Sequence, residues 1–165
     1  MFEELLGIPA HPLLVHAAVV FVPLQILAIF AYTLLPAYRR HTTWFVLAVA
    51  VIGPLTALAA KLSGQAFRDR LVRNGTTDPG ILAKIDEHRS FGDRTFWTAL
   101  ALGVLMLAFM WMIRSRERAS GAPSSGYGDV LTIGFTAVLL VLGLVTAYFV
   151  FKTGDTGAHI VWSGF

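Results

Sequence analysis

Imidazole is the side chain best placed for chemistry in this sequence: His11, His16, His88 and His159 fall where they could act together, and His41 stands apart. A neutral imidazole offers one ring-nitrogen lone pair to iron, zinc or copper. Two such rings facing each other across a helical bundle are the usual protein contribution to a b-type haem. With no cysteine in the chain, thiolate sites, iron–sulfur clusters and covalent haem attachment are excluded. The leading pair is His16 with His88, as haem or metal ligands. His11 lies five residues before His16, about 140° around a helix and about 7.5 Å further along it. Those two therefore serve one ion poorly, and His11 with His159 forms a lesser alternative pair. His11 beside Pro12 also suits a capping or supporting role, and His159 an interfacial anchor.

Weaker constellations lie nearby. Asp86-Glu87-His88 with Asp69 could build a carboxylate–histidine metal site. Ser63 close to Lys61 resembles a Ser–Lys pair, but no partner motif supports hydrolysis. His41, in the basic turn Arg39-Arg40-His41, is expected to be solvated. The cations Lys61, Arg68, Arg89 and Arg94 could meet the propionates of a haem at the rim of a site.

These residues need a scaffold, and the scaffold is apolar. Residues 13–35, 42–60, 95–113 and 130–151 contain no charged side chain. Each stretch is long enough for a helix to cross a hydrocarbon core of about 30 Å. The chain is 56% hydrophobic and 14% charged, with mean hydropathy +0.67, too little polar surface for a water-soluble fold. A formal charge of +3, carried in loops at helix ends, does not make a nucleic-acid surface. The leader Met1-Phe2-Glu3-Glu4 is acidic where a cleavable signal is basic. The first apolar run is therefore expected to remain in the mature protein.

The expectation is an all-α, four-transmembrane-helix bundle forming one integral membrane domain over 1–165. Its helices span about 12–36, 42–72, 78–115 and 129–152. Helix one starts at Ala10-His11-Pro12, and Thr42 or Thr43 caps helix two. Pro23 and Pro54 fall inside helices. Helices two and three extend past the bilayer as an interfacial hairpin, broken at Asn74-Gly75 and restarted by Asp78-Pro79. On helix three Ile81, Leu82, Ile85, His88, Gly92 and Phe96 share one arc, so His88 faces packed protein. Arg114 to Gly128 reads as a flexible loop. The tail Asp155 to Phe165 is expected to fold back after a helix ending near Lys152-Thr153-Gly154. Gly53 with Ala57, Ala60 with Gly64, and Gly143 with Ala147 suit close helix contact, and Gln25 suits an interhelical hydrogen bond. Trp44, Trp97, Trp111 and Trp162 sit near helix ends, as an aromatic belt predicts. No internal repeat is evident.

Depth follows from counting outward from each turn. With the first turn centred near Arg40, His16 lies level with Gly64. With the second centred between Thr76 and Thr77, His88 lies level with Gln65. Gly64 then leaves room for something flat between the two rings.

With these residues in view, the chain resembles the bacterial predicted-membrane-protein family called domain of unknown function 2231. The signature His-Pro-x-x-x-His appears as His11-Pro12-Leu13-Leu14-Val15-His16, and a histidine opens helix three as His88. A glycine-rich close with a short Val-aromatic tail appears as Gly154-Asp155-Thr156-Gly157-Ala158-His159-Ile160-Val161-Trp162. Ala17, Ala158 and Trp162 depart from the usual residues. The resemblance implies a four-helix bacterial membrane protein of unassigned activity, with a haem or metal role expected.

The functional expectation is a b-type haem-binding protein of the bacterial cytoplasmic (inner) membrane, transferring electrons or serving a membrane redox complex. His16, His88, His11, His159, Gly64, Arg68 and Arg89 would form the cofactor site. The alternatives are a cofactor-free structural subunit and a histidine-based transition-metal protein. No catalytic constellation is visible. Expected partners are the lipid bilayer and a membrane or peripheral redox protein, not nucleic acid, with self-association left open. Four crossings place both termini on one side. Eight Lys/Arg on that side face five on the other, but eight acids match the eight, so orientation is left open.

Overall fold

The computed structural model describes residues 4, 5, 7–76, 78–120 and 130–162. Two two-residue strands, β1 (Glu4–Leu5) and β2 (Ile8–Pro9), pair antiparallel about Gly7, whose φ is +80°. Four helices follow: α1 (Ala10–Leu34), α2 (Arg39–Arg73), α3 (Pro79–Ser120) and α4 (Val130–Trp162). All four are long and apolar enough to cross a membrane. Each helix packs on its chain neighbours and α4 closes against α1, so α1 and α3 lie diagonally across the bundle.

The helices end where their residues require it. A single 3-10 turn, Pro36–Tyr38, connects α1 to α2. Thr42 and Thr43 do not cap α2; their hydroxyls donate back to the carbonyls of Tyr38 and Arg39, one turn earlier. The helix has already begun at Arg39, so both threonines lie inside its first turns. At the far end Gly75 adopts φ +92°, a left-handed conformation that glycine takes without a Cβ penalty. The carboxylate of Asp78 then accepts from the backbone N–H of Gly80 at 2.7 Å and of Ile81 at 3.3 Å, the expected cap on α3.

Two helices run further than expected. Residues 114–120 continue α3 instead of opening the loop, as their arginine and glutamate content allows; residues 121–129 lie outside the described set. Residues 155–162 do not fold back, because α4 runs on to Trp162; residues 163–165 lie outside the described set. Gly157 serves packing against the ring of His88, and nothing lies within 4 Å of a Cβ on Gly154. Lys152 pairs with Asp155, and the hydroxyls of Thr153 and Thr156 donate to carbonyls one turn earlier.

The core runs along the bundle axis through Val22, Ile26, Ile29, Val46, Leu102, Met106, Phe109 and Leu139. Large apolar side chains also face outward, among them Leu27, Val104 and Leu144. In a bilayer that exposure costs nothing, since the surrounding lipid is as apolar as the core. All four tryptophans are exposed, Trp44 and Trp162 near helix ends and Trp97 and Trp111 near the two ends of the uncharged run inside α3. Mid-bundle, Gln25 is completely buried and its amide donates to the carbonyl of Ala99 at 3.0 Å, joining α1 to α3. A Cβ at Gly53 would collide with the Oε1 of Gln25 and one at Gly143 with the ring of Phe30. These glycines are slots for particular side chains.

Candidate functional site: a paired-imidazole centre

The structure places His11, and not His16, against His88. The two ring centres are 6.3 Å apart and the ring planes cross at 76°. Both rings are half-buried. They come from the diagonal helices α1 and α3 and meet near the end of the bundle where the α2–α3 turn lies. His16 is exposed, and its Nδ1–H donates to the carbonyl of Pro12 on its own helix. His159 is also exposed and donates from Nδ1 to the carbonyl of Asp155 at 2.8 Å. Neither is drawn into the pair.

Each member of the pair rests on a neighbouring helix in the same way. Nδ1 of His11 lies 3.1 Å from the hydroxyl of Ser63 on α2, and Nδ1 of His88 lies 3.2 Å from the hydroxyl of Thr156 on α4. A glycine follows each hydroxyl residue, Gly64 and Gly157 respectively. A Cβ on Gly64 would lie 3.0 Å from Cε1 of His11, and one on Gly157 the same distance from Cε1 of His88. The flat group that Gly64 accommodates is therefore the imidazole of His11. The partners are 52 residues apart in one half and 68 in the other, so the correspondence is hidden from a search for a fixed-period repeat. Phe67 stacks beside His11 at 6.1 Å and 22°, giving that ring an apolar wall.

Below the seats, Thr95 on α3 and Thr153 on α4 share a hydrogen bond of 2.9 Å. Charged groups surround the α2–α3 side. Arg68 makes a two-pronged contact with Asp86 at 2.7 and 3.1 Å, and Arg89 reaches the same carboxylate at 3.1 Å. Lys61 pairs with Asp93 at 3.3 Å and lies over the rings of Phe96 and Trp97. Asp86 is thus committed to two arginines and is not a spare metal ligand. Among the described residues no three of His, Asp and Glu gather as a metal-binding group. A carboxylate–histidine cage for zinc, which wants four ligands, is not assembled from Asp69, Asp86 and Glu87.

Sequence reasoning missed Ser63, Thr156 and Gly157 as the seats of the two rings. The available signal was a hydroxyl residue followed by glycine, repeated as Ser63-Gly64 and Thr156-Gly157 on the helix after each histidine. It also missed Arg39, whose guanidinium turns inward to donate to the carbonyls of Tyr32 at 3.0 Å and Thr33 at 3.4 Å. These are end carbonyls of α1, which lack partners within their own helix.

Fold and site together define a multi-pass membrane bundle with two histidines paired near one end. The chain belongs to the predicted membrane protein family DUF2231, whose pattern matches residues 7–164. No curated protein and no solved structure matches it.

Proposed function

We propose that this chain is a b-type haem-binding protein of the bacterial inner membrane, with His11 and His88 as the residues that would hold the haem and electron transfer as its role. The observation that carries the reading is the 6.3 Å separation of two imidazole centres from diagonal helices. Rings on opposite sides of one metal, each bonded through nitrogen at about 2 Å, have centres roughly 6 Å apart. A tetrahedral pair would sit closer. Two histidines and no third ligand suit a cofactor that fills the other metal positions itself.

The chain's residues match that cofactor in other respects. Gly64 and Gly157 let the rings lie flat against their helices, and Phe67 supplies an apolar wall. Arg68 and Arg89 are cations on the same flank that propionates could meet, with Lys61 and Arg94 near them. When bound, the haem would supply one-electron chemistry; the protein holds it and excludes water. His16 and His159 have no ligand role in this reading. The ends of α2 and α3, carrying the Arg68–Asp86 and Lys61–Asp93 pairs, would stand outside the hydrocarbon as an interfacial hairpin. A redox partner would dock there, on the side that also carries both termini.

An absorption spectrum tests the reading. Protein purified from cells supplied with haem should show a sharp Soret band and a reduced α-band. Both should be lost in His11→Ala and in His88→Ala and kept in His16→Ala. A colourless wild-type preparation, with folding verified, sinks the proposal, and elemental analysis then separates copper or zinc from no metal at all.

One observation favours a second reading. Both rings already reach hydroxyls on neighbouring helices, so the four residues could simply fasten the bundle of a cofactor-free subunit. Impaired assembly of His11→Ala and His88→Ala, with a wild type that carries no haem, would favour that reading.

A further inference from the structure

We infer that Ser63 and Thr156 are positioning residues: their hydroxyl oxygens hold His11 and His88 as Nδ1–H tautomers, so that both Nε2 lone pairs are offered to one occupant. The inference follows from counting protons. The hydroxyl of Ser63 donates to the carbonyl of Ala60 at 2.9 Å. That of Thr156 donates to the carbonyl of Lys152 at 2.8 Å and approaches that of Thr153 at 3.2 Å. A hydroxyl has one proton and two acceptor lone pairs. With the proton committed to a helix carbonyl, only an oxygen lone pair remains for the ring. The contacts of 3.1 and 3.2 Å are then made by an Nδ1–H on each ring. A neutral imidazole has one N–H, so Nε2 carries none.

Burial reinforces this directionality. Ser63 has no exposed surface, so water cannot replace the ring as its partner. The glycine after each hydroxyl residue lets the Nδ1–Cε1 edge approach the helix closely, which is how a hydroxyl this close to the backbone can be reached. The same three-part device occurs twice, on α2 and on α4, and fixes the same nitrogen both times. Partners on the far nitrogen of a ligating histidine set its tautomer, its orientation and its basicity.

The occupant is the haem of the reading above and rests on it; the tautomer assignment does not. The first arm of the test therefore uses haem-free protein. Histidine labelled with 15N, in detergent micelles near pH 8, gives a long-range proton–nitrogen correlation that distinguishes the two tautomers. His11 and His88 should show the Nδ1–H pattern. Ser63→Ala and Thr156→Val should each shift their own ring toward the Nε2–H form common in free histidine, and Ser63→Thr and Thr156→Ser should restore it. An Nε2–H pattern for either ring in the wild type overturns the inference.

The second arm uses haem-loaded protein. Loss of a hydrogen-bond acceptor at Nδ1 makes the ligand less electron-rich, so Ser63→Ala should move the reduction potential upward while the Soret band is retained. Haem bound with an unmoved potential overturns the tuning role. No Soret band in the wild type defeats the haem reading, with the nitrogen spectra still deciding the tautomer.

Discussion

The imidazole of His11 occupies the space that a side chain on Gly64 would fill, with Cε1 only 3.0 Å from where that Cβ would stand. Such a distance is tighter than nearly all real Cβ contacts. Gly64→Ala should push the ring away from Ser63 and cost about 1–3 kcal/mol as overpacking. Gly157→Ala should do the same to His88. Gly154→Ala is the control, because nothing lies within 4 Å of its Cβ position. It should be neutral or gain up to about 1 kcal/mol from helix propensity. Equilibrium unfolding in mixed micelles measures all three, and equal losses at 154 and 157 would contradict the packing account.

Gln25 and Gly53 should be energetically coupled. The Gln25 amide crosses to Ala99, and its Oε1 occupies the place of a Cβ on Gly53. Gln25→Ala should lose the bond to Ala99, an effect of about 1 kcal/mol within a membrane together with some lost packing. Gly53→Ala should be more damaging in the wild type than in the Gln25→Ala background. A double-mutant cycle in unfolding free energy reads the difference. Simple additivity would show that the glycine is not a slot for this side chain.

Arg39 should matter more than its place in a basic turn suggests. It is only 7% exposed, with two carbonyl partners at the end of α1 and the rings of Tyr32 and Phe109 on either side. Arg39→Ala should cost about 1.5–3 kcal/mol, the usual range for hydrogen bonds involving a charged group. Arg39→Lys should recover only part, because an ammonium does not reproduce the planar fork. Arg40→Ala, at an exposed neighbour, should have little effect in the same thermal-unfolding assay.

Thr95→Val should release a measurable but small interaction between α3 and α4. The two hydroxyls lie 2.9 Å apart, and that of Thr153 also reaches the carbonyl of Phe149 at 2.7 Å. Interhelical bonds of this type in membranes average about 0.6 kcal/mol. Thr95→Ser should retain most of it. A loss equal for Val and Ser would place the effect in packing, not in the hydrogen bond.

Much of this arrangement is legible in the residues. The four uncharged runs mark the helices, Asn74-Gly75 and Asp78-Pro79 mark one turn, and the arc through His88 points it inward. The level assigned to His88 holds, because the Arg68–Asp86 and Lys61–Asp93 pairs place the α2–α3 turn close to the expected centre. The partner ring differs because the first turn is centred on Pro36–Tyr38 and not on Arg40. Each residue of error in a turn centre moves the opposite position by two, enough to put His11 where His16 was expected. The end of α4 was hidden for another reason. Glycine suggests a chain break when read alone, and only the ring of His88 lying against Gly157 shows why a helix keeps it. The inward turn of Arg39 depends on the free carbonyls of a helix end, which local composition does not reveal.

The twin bonds from His11 to Ser63 and from His88 to Thr156 also set mechanical limits. Sliding α1 along α2, or α3 along α4, by a single residue moves one partner about 1.5 Å past the other, enough to break a hydrogen bond. They act as detents on axial travel in both hairpins. A strain that slides α1 along α2, or α3 along α4, would therefore also pull on an imidazole, and such movement would be felt at the rings.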